Sequence, residues 1–310
     1  MQNQEAHFLG VDVGGTHLKI GLVDKQGNIL DFEKEDTTPY RDDPDGFGPC
    51  FIKGLGKYLK KYPQVKNIGI GLPGMISKDR TTAIEIPAIP DLNGFNLKGG
   101  LEEAYPDHEF SLENDAAAAA IGEFYFGKDD PAENFLFITM GTGIGSALVL
   151  DGQVFKGSRG NAMEMGHMLS KGSARLETLI GRQGILNIMS RMIAAYPEKA
   201  GELVGATLGT HLLVDTAKAG NPVSLMVFEE VGMIMGEAIV SAIRILDVTD
   251  VYFGGGISAG LEFMMPTLER TIKQYLSQYY GKDLVLKKAT LENNAGTLGA
   301  AALCFMGSGL

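Results

Sequence analysis

The chain has 310 residues, of which 38 are acidic and 27 basic, for a formal net charge of −11. That length predicts two domains rather than one. The acidic balance argues against a nucleic-acid groove or an anionic membrane surface, though not against a local phosphate site. Two cysteines, Cys50 and Cys304, cannot build a disulfide framework or a thiolate zinc site and read as reduced, buried thiols. Met1 to His7 lacks the basic start and apolar core of a signal peptide, and no apolar run approaches the roughly 18 residues of a membrane span. A soluble, cytoplasmic protein is expected. Forty-two glycines are about twice the average share of roughly 7%. They lie among Val, Ile and Leu without a Gly-X-Y period, which points to tight turns or close backbone approach.

In chain order, Phe8 to Val13 is an apolar run broken at Gly14-Gly15. His17 to Val23 and a stretch from Ile29 follow, separated by the turn Asp24-Lys25-Gln26-Gly27, and the three read as antiparallel strands. Phe47, Phe51, Leu55, Tyr58 and Leu59 recur at helical spacing, weakened by Gly54 and Gly56. Ile68 to Leu72 and Phe110 to Leu112 read as strands, and Ala116 to Phe126 as a helix behind Asn114-Asp115. Phe135 to Leu150 is strand, turn, strand. Thr178 to Tyr196 and Val223 to Ile245 carry helical patterns. Val251 to Phe253 is a strand ending in Gly254-Gly255-Gly256, with a helix expected to about Tyr280 and a last one from Thr297 to Phe305. The alternation is that of an α/β protein.

Phe8 to Asp24 aligns without a gap on Phe135 to Asp151, so that Gly14 meets Gly141 and Asp24 meets Asp151. The pattern reads either as chance likeness between glycine-turned hairpins or as a duplicated lobe with one such hairpin in each half. Gly69-Ile-Gly71-Leu-Pro-Gly74 matches G-x-G-x-x-G, but the proline-broken stretch after it gives no helix, and a dinucleotide site is rejected there. In Asp12-Val-Gly14-Gly15-Thr16 an acid at a strand end adjoins two glycines and a hydroxyl. The glycines let amides approach phosphate oxygens, and the acid can hold hydrated Mg²⁺. Gly141-Thr142-Gly143 is the counterpart without the acid, and Gly254 to Gly256 stand where a nucleotide could meet a helix N-terminus. Each alone is also read as a plain turn.

Phe8-Leu-Gly-Val-Asp12-Val-Gly-Gly-Thr16 resembles the first phosphate motif of the sugar-kinase, Hsp70 and actin superfamily. Within it, Asn114-Asp115, Gly141 to Gly145 and Glu164-Met-Gly-His167-Met resemble the ROK family of sugar kinases, in the family's order and over nearly the whole chain. The resemblance implies a two-lobed actin-like ATPase (ribonuclease H-like) α/β fold, duplicated lobes around a central cleft, and a homodimer. The expected lobes are residues 1–115, completed by a C-terminal helix 296–310, and residues 116–295. Asp115 is implied as the general base; from the residues alone it is equally the N-cap of the alanine-rich helix. Asn114, Glu164, His167 and Glu177 fall on sugar-binding positions. Gly14, Gly15, Thr16, Gly141, Thr142 and Gly143 fall on ATP phosphates, Gly254 to Gly256 on the nucleotide, and Asp12 on Mg²⁺ through water.

The chain departs from the family twice. Ser170 to Leu176 lacks the cysteines that hold a structural zinc in many members, so no zinc is expected and Glu177 loses that anchor. Ala88 stands where many relatives carry Asn, which removes one polar sugar contact. The leading expectation is an ATP-dependent, glucokinase-like hexose kinase acting on the 6-hydroxyl, with ATP and Mg²⁺ as cofactors. A polyphosphate-dependent glucokinase is the alternative donor reading. A sugar-sensing regulator is the alternative from another class, and the first strand, starting by Phe8, leaves no space for its helix-turn-helix. Neither nucleic acid nor membrane is an expected partner.

Overall fold

The computed structural model describes residues 6–306, so positions 307–310 of the expected C-terminal helix lie outside the described residues. Two compact units are present: Met1–Glu133 with Ala147–Met163 and Asn293–Leu310, and Asn134–Ser146 with Glu164–Glu292.

The first unit carries β1 (His7–Val13), β2 (His17–Asp24), β3 (Ile29–Asp36), β4 (Asn67–Leu72), a small hairpin of β5 (Met75–Ile76) and β6 (Ala83–Glu85), and β7 (Glu109–Asn114). Its main sheet has the order β3-β2-β1-β4-β7. The first three strands are antiparallel as expected, and β4 and β7 run parallel to β1. Gly74 leads into β5, not into a helix, in keeping with the rejected dinucleotide fingerprint. Along β1 the side chains alternate between two buried faces. Leu9 and Val11 join the core made by Phe47, Phe51 and Leu55 of the helix Phe47–Lys61. Phe8 stacks edge-on against Phe305 on the other face, with ring centroids 4.4 Å apart.

That other face is covered by the helix Ala295–Met306, which lies so close that a Cβ at Gly69 would stand 1.7 Å from the Ala300 carbonyl oxygen. The same helix crosses Asp115–Phe126 at Gly299, where a Cβ would stand 1.7 Å from the Ala118 carbonyl oxygen. Such contact requires small residues on both partners, which the alanine run supplies. It also moves the expected lobe boundary: the helix from Asp115 belongs to the first unit, not to a second lobe beginning at 116. Gly54 and Gly56, unfavourable in a helix by propensity, make room for the rings of Tyr40 and Tyr105.

Asp31, Glu33 and Glu35 share one face of β3 and meet Lys57, Tyr58, Lys61 and Tyr62 of the helix Phe47–Lys61. Hydrogen bonds from Lys61 and Tyr62 hold the Asp31 carboxyl down to about 2, and Lys61 likewise lowers Glu33. Depressed carboxyls contribute stability above their unfolded range and lose it as pH falls through the folded values. Lys61→Met is therefore expected to lower Tm by a few degrees at about pH 7, the pairs being surface-exposed, and by progressively less towards about pH 2. A pH-independent difference in thermal melts would assign the effect to packing instead.

The second sheet contains β8 (Phe135–Met140), β9 (Ile144–Leu150), β10 (Gln153–Val154), β11 (Asp250–Gly254) and β12 (Val285–Lys288) in the order β10-β9-β8-β11-β12. Three strands reached by hairpins are followed by two parallel additions, the order of the first sheet. The repeat seen between Phe8–Asp24 and Phe135–Asp151 is thus a repeat of topology. The long helix Pro222–Leu246 starts with Pro222 at its first position and Asn221 accepting from the amides of Val223 and Ser224.

Three expectations change. The helix expected over Thr178 to Tyr196 is two helices, Leu176–Ile180 and Arg182–Ala195, parted at Gly181 in an extended conformation. The helix expected to reach about Tyr280 ends at Tyr275, after starting at Leu261. Cys304 is buried, its thiol pushed up to about 12 by that burial, but Cys50 is only half-buried.

Candidate active site

In the first unit the parallel strands β1, β4 and β7 end side by side, with Asp12 opposite Gly71 and Gly71 opposite Glu113. The carboxyl ends of parallel strands are where α/β sheets present ligand-binding groups. The turn Gly14–Thr16 is closed by the Gly14 amide donating to the His17 carbonyl oxygen. It is braced by buried Thr37, whose hydroxyl donates to Gly14 O and whose amide donates to Thr16 O. Asp12 is paired with Lys19 across the hairpin at 3.0 Å, and its side chain is 16% exposed. The carboxylate rests on Gly296, where a Cβ would lie 2.6 Å from Oδ2. Ala88 packs directly over Gly15, whose own Cβ would stand 2.8 Å from that of Ala88.

Asp115 is the first residue of its helix, not the cap. The cap is Asn114, whose Oδ1 accepts from the amides of Ala116 and Ala117 at 3.0 and 3.1 Å. Its Nδ2 donates to the Gly74 carbonyl oxygen at 3.0 Å. Asn114 thereby fixes where the Asp115 backbone starts its turn. Asp115 itself turns Oδ1 to the Ala116 amide at 2.8 Å.

One group missed by the sequence reading stands directly behind this pair. Glu113 is 2% exposed, accepts from the Asn114 amide at 2.9 Å, and is paired with Arg80 at 3.1 Å and Lys156 at 2.9 Å. Arg80 also donates to the Gly160 carbonyl oxygen at 2.6 Å. A buried carboxylate is tolerated only with such partners. The network joins the β5–β6 turn and the segment containing Lys156 and Gly160 to the strand that delivers Asn114 and Asp115. Its members are far apart in the chain, and nothing in their local spacing marks them.

In the second unit Glu164, His167 and Glu177 come together. His167 sits in a single 3-10 turn, Met165–His167, with Nδ1 3.8 Å from Glu164 Oε2 and Nε2 3.3 Å from Glu177 Oε1. Gly166 seats this turn against β9, where a Cβ would meet the Ile144 carbonyl oxygen at 2.2 Å. Glu177 holds its place without cysteines. A bridge between Leu169 and Arg175 closes the loop, and the Leu176 amide donates to Met168 O at 2.9 Å. The carboxylate then lies on the glycine turn, 2.7 Å from where a Gly143 Cβ would be. All three side chains are 29–39% exposed. Two carboxylates around one imidazole offer acceptors for neighbouring hydroxyls and a ring nitrogen for a third contact.

Two glycine turns of this unit also meet. Gly255, at φ +82°, packs on the end of β8, where a Cβ would stand 2.4 Å from the Met140 carbonyl oxygen. A hollow of about 180 Å³ brings Gly141 and Thr142 together with Gly256. Gly181, the break between helices, lies under Thr142, so that the Arg182 amide donates to both Gly141 O and Thr142 O. Among the described residues no three His, Cys, Asp or Glu side chains cluster as a metal site, and no helix is long and apolar enough to cross a membrane.

The model of the ROK family matches residues 8–306. The chain belongs to the ROK family. A glucokinase of Halalkalibacterium halodurans is 30% identical over 96% of this chain and 94% of its own length. The crystal structure of a ROK family glucokinase from Streptomyces griseus in complex with glucose and AMPPNP is 26% identical, covering 97% of this chain and 100% of that one at a TM-score of 0.81. A ROK family transcriptional regulator, homologous to the Escherichia coli MLC protein, is 24% identical, covering 98% of this chain and 79% of that one at a TM-score of 0.87; this likeness shows the fold alone. The fold of this ROK protein is the two-lobed actin-like ATPase fold, and its relatives support a carbohydrate kinase.

Proposed function

We propose that this ROK protein is an ATP-dependent hexose kinase that transfers the γ-phosphoryl group to a sugar hydroxyl, the 6-hydroxyl of a glucose-like acceptor. The observation that carries this reading is the gathering of Glu164 and Glu177 around His167 in one unit, on a chain that presents Asp115 at a helix start in the other. Glu164 and Glu177 accept from ring hydroxyls, and His167 orients between them. Asn114 acts on the sugar side by holding Asp115 in place.

The Asp115 carboxylate takes the proton of the attacking hydroxyl. The sugar hydroxyl oxygen forms the new bond to the γ-phosphorus while the bond to the bridging oxygen breaks, and ADP leaves. The turns Gly14–Thr16 and Gly141–Gly143 would meet the donor phosphates, with the Gly14 and Gly141 amides spent on closing the turns themselves, and the turn at Gly254–Gly256 would meet the nucleotide. A hard carboxylate oxygen beside a phosphate turn suits Mg²⁺. Asp12 would hold the ion through water, and the ion supplies charge neutralisation on the donor phosphates.

Glu164→Gln and Glu177→Gln are expected to raise the sugar KM at least about tenfold each, with the donor KM within about twofold, since each removes charge-assisted hydrogen bonds to hydroxyls alone. Steady-state kinetics with sugar and donor varied separately test this. Equal rises in both constants would contradict the sugar assignment. A nucleotide-free assay with polyphosphate separates the two donors; full turnover there, with none on ATP, would replace ATP in this reading. Light scattering tests the homodimer expected from the family.

A further inference from the structure

We infer that Arg182, with Thr142, Thr210 and His211, forms a cradle for the phosphate chain of the donor; this deepens the kinase reading above and rests on it. These four residues line the hollow of about 180 Å³ beside the glycine turns, and no Asp or Glu lines it. In a chain of net charge −11 that composition is selective. Arg182 is exposed and makes no side-chain ion pair or hydrogen bond among the described residues.

The backbone around the hollow is arranged to the same end. Gly143 O accepts from the Gly141 amide at 3.0 Å, and Gly141 O and Thr142 O share the Arg182 amide at 3.1 and 3.2 Å. All three carbonyl oxygens of the turn are therefore occupied from within the protein. The polar side chains of the lining residues can all donate: a guanidinium, an imidazole N–H and two hydroxyls. A donor-rich surface without a carboxylate fits an acceptor-only anion, and the planar guanidinium can grip two phosphate oxygens at once. The break at Gly181 is what makes this possible. A continuous helix from Leu176 to Ala195 would bury the Arg182 amide in its own ladder, away from Gly141 and Thr142.

Arg182 is thus a donor-binding residue. Its partners on the donor are the phosphates, not the base. Calorimetric titration of the full chain with ADP, inorganic tripolyphosphate and adenosine tests this in the wild type, Arg182→Gln and Arg182→Lys. Arg182→Gln is expected to weaken ADP and tripolyphosphate about 10- to 100-fold and to leave adenosine unchanged, the loss of hydrogen bonds to a charged group. Arg182→Lys restores part of the affinity, because it returns the charge without the fork. The wild-type affinity for ADP should also fall more steeply with salt than that of Arg182→Gln.

Phosphate-chain binding by Arg182→Gln within about twofold of wild type would overturn the inference. So would an equal loss for adenosine, or a wild type that binds neither ADP nor tripolyphosphate. The titrations need no turnover, so the two readings fail separately. Arg182-dependent ADP binding in a protein that phosphorylates no sugar keeps the cradle and removes the kinase. Sugar phosphorylation by Arg182→Gln with an unchanged donor KM does the reverse.

Discussion

Replacing Asp115 by Asn is expected to lower kcat by about 10³-fold, within the range that positioned general bases contribute, while leaving the sugar KM within about threefold. The structure makes this substitution clean. The helix from Asp115 is capped by Asn114, which keeps its hydrogen bonds to Ala116 and Ala117 in the variant, so the backbone has no reason to move. Asn is also nearly isosteric and retains an oxygen for the Ala116 amide. The change therefore removes basicity and leaves shape. A variant that keeps more than about a tenth of the wild-type kcat would sink the base assignment. A large rise in sugar KM at constant kcat would make Asp115 a binding group instead.

The second large effect concerns stability. Glu113→Ala leaves Arg80, whose side chain is only 13% exposed, without its counter-charge and takes the acceptor from the Asn114 amide. Breaking a buried ion pair from one side costs about 3–5 kcal/mol. Lys156 is 43% exposed and can return to water, so the lower end, about 3 kcal/mol, is expected. Denaturation of the wild type and of Glu113→Ala gives the number. A loss under about 0.5 kcal/mol would show that the carboxylate is dispensable. Glu113→Gln keeps an acceptor for Asn114 and should cost less. If kcat in that variant falls much further than stability, the network also sets the position of Asp115.

The parts of this molecule that were legible in its sequence are those where one short segment dictates its own chemistry. Asp12-Val-Gly14-Gly15-Thr16 reads as a strand end followed by a glycine turn, and β1 does end at Val13 with the turn closed from Gly14 to His17. The alignment of Phe8–Asp24 with Phe135–Asp151 carried real topology, because each hairpin heads a sheet of the same strand order. Glu164 and His167 are one turn apart and their meeting is local.

What stayed hidden depends on distant partners. The poly-alanine helix gives no sign of which unit it joins; Gly299 and Ala295, far along the chain, decide that. Gly181 looks like a tolerable glycine inside a helix until Thr142 is placed beside it. Glu113 reads as one more acid before Asn114-Asp115, since Arg80 and Lys156 announce nothing by spacing. Gly54 and Gly56 weakened a correct helix because the rings of Tyr40 and Tyr105, which need their space, come from outside it. The loop Ser170 to Leu176 has no cysteines from which to read how Glu177 is held, and the strand bridge and the seat on Gly143 that hold it are visible only in three dimensions.

Sugar phosphorylation with ATP is the activity proposed for this ROK protein. The most direct test is sugar-dependent ADP release by the purified full chain over glucose, mannose, fructose, allose and the N-acetylated hexosamines, with Asp115→Asn as the control. At least one of these sugars is expected to drive stoichiometric ADP release with Mg²⁺ present, and Asp115→Asn to abolish it. ADP release that no sugar in the panel stimulates, or that persists in Asp115→Asn, would contradict it.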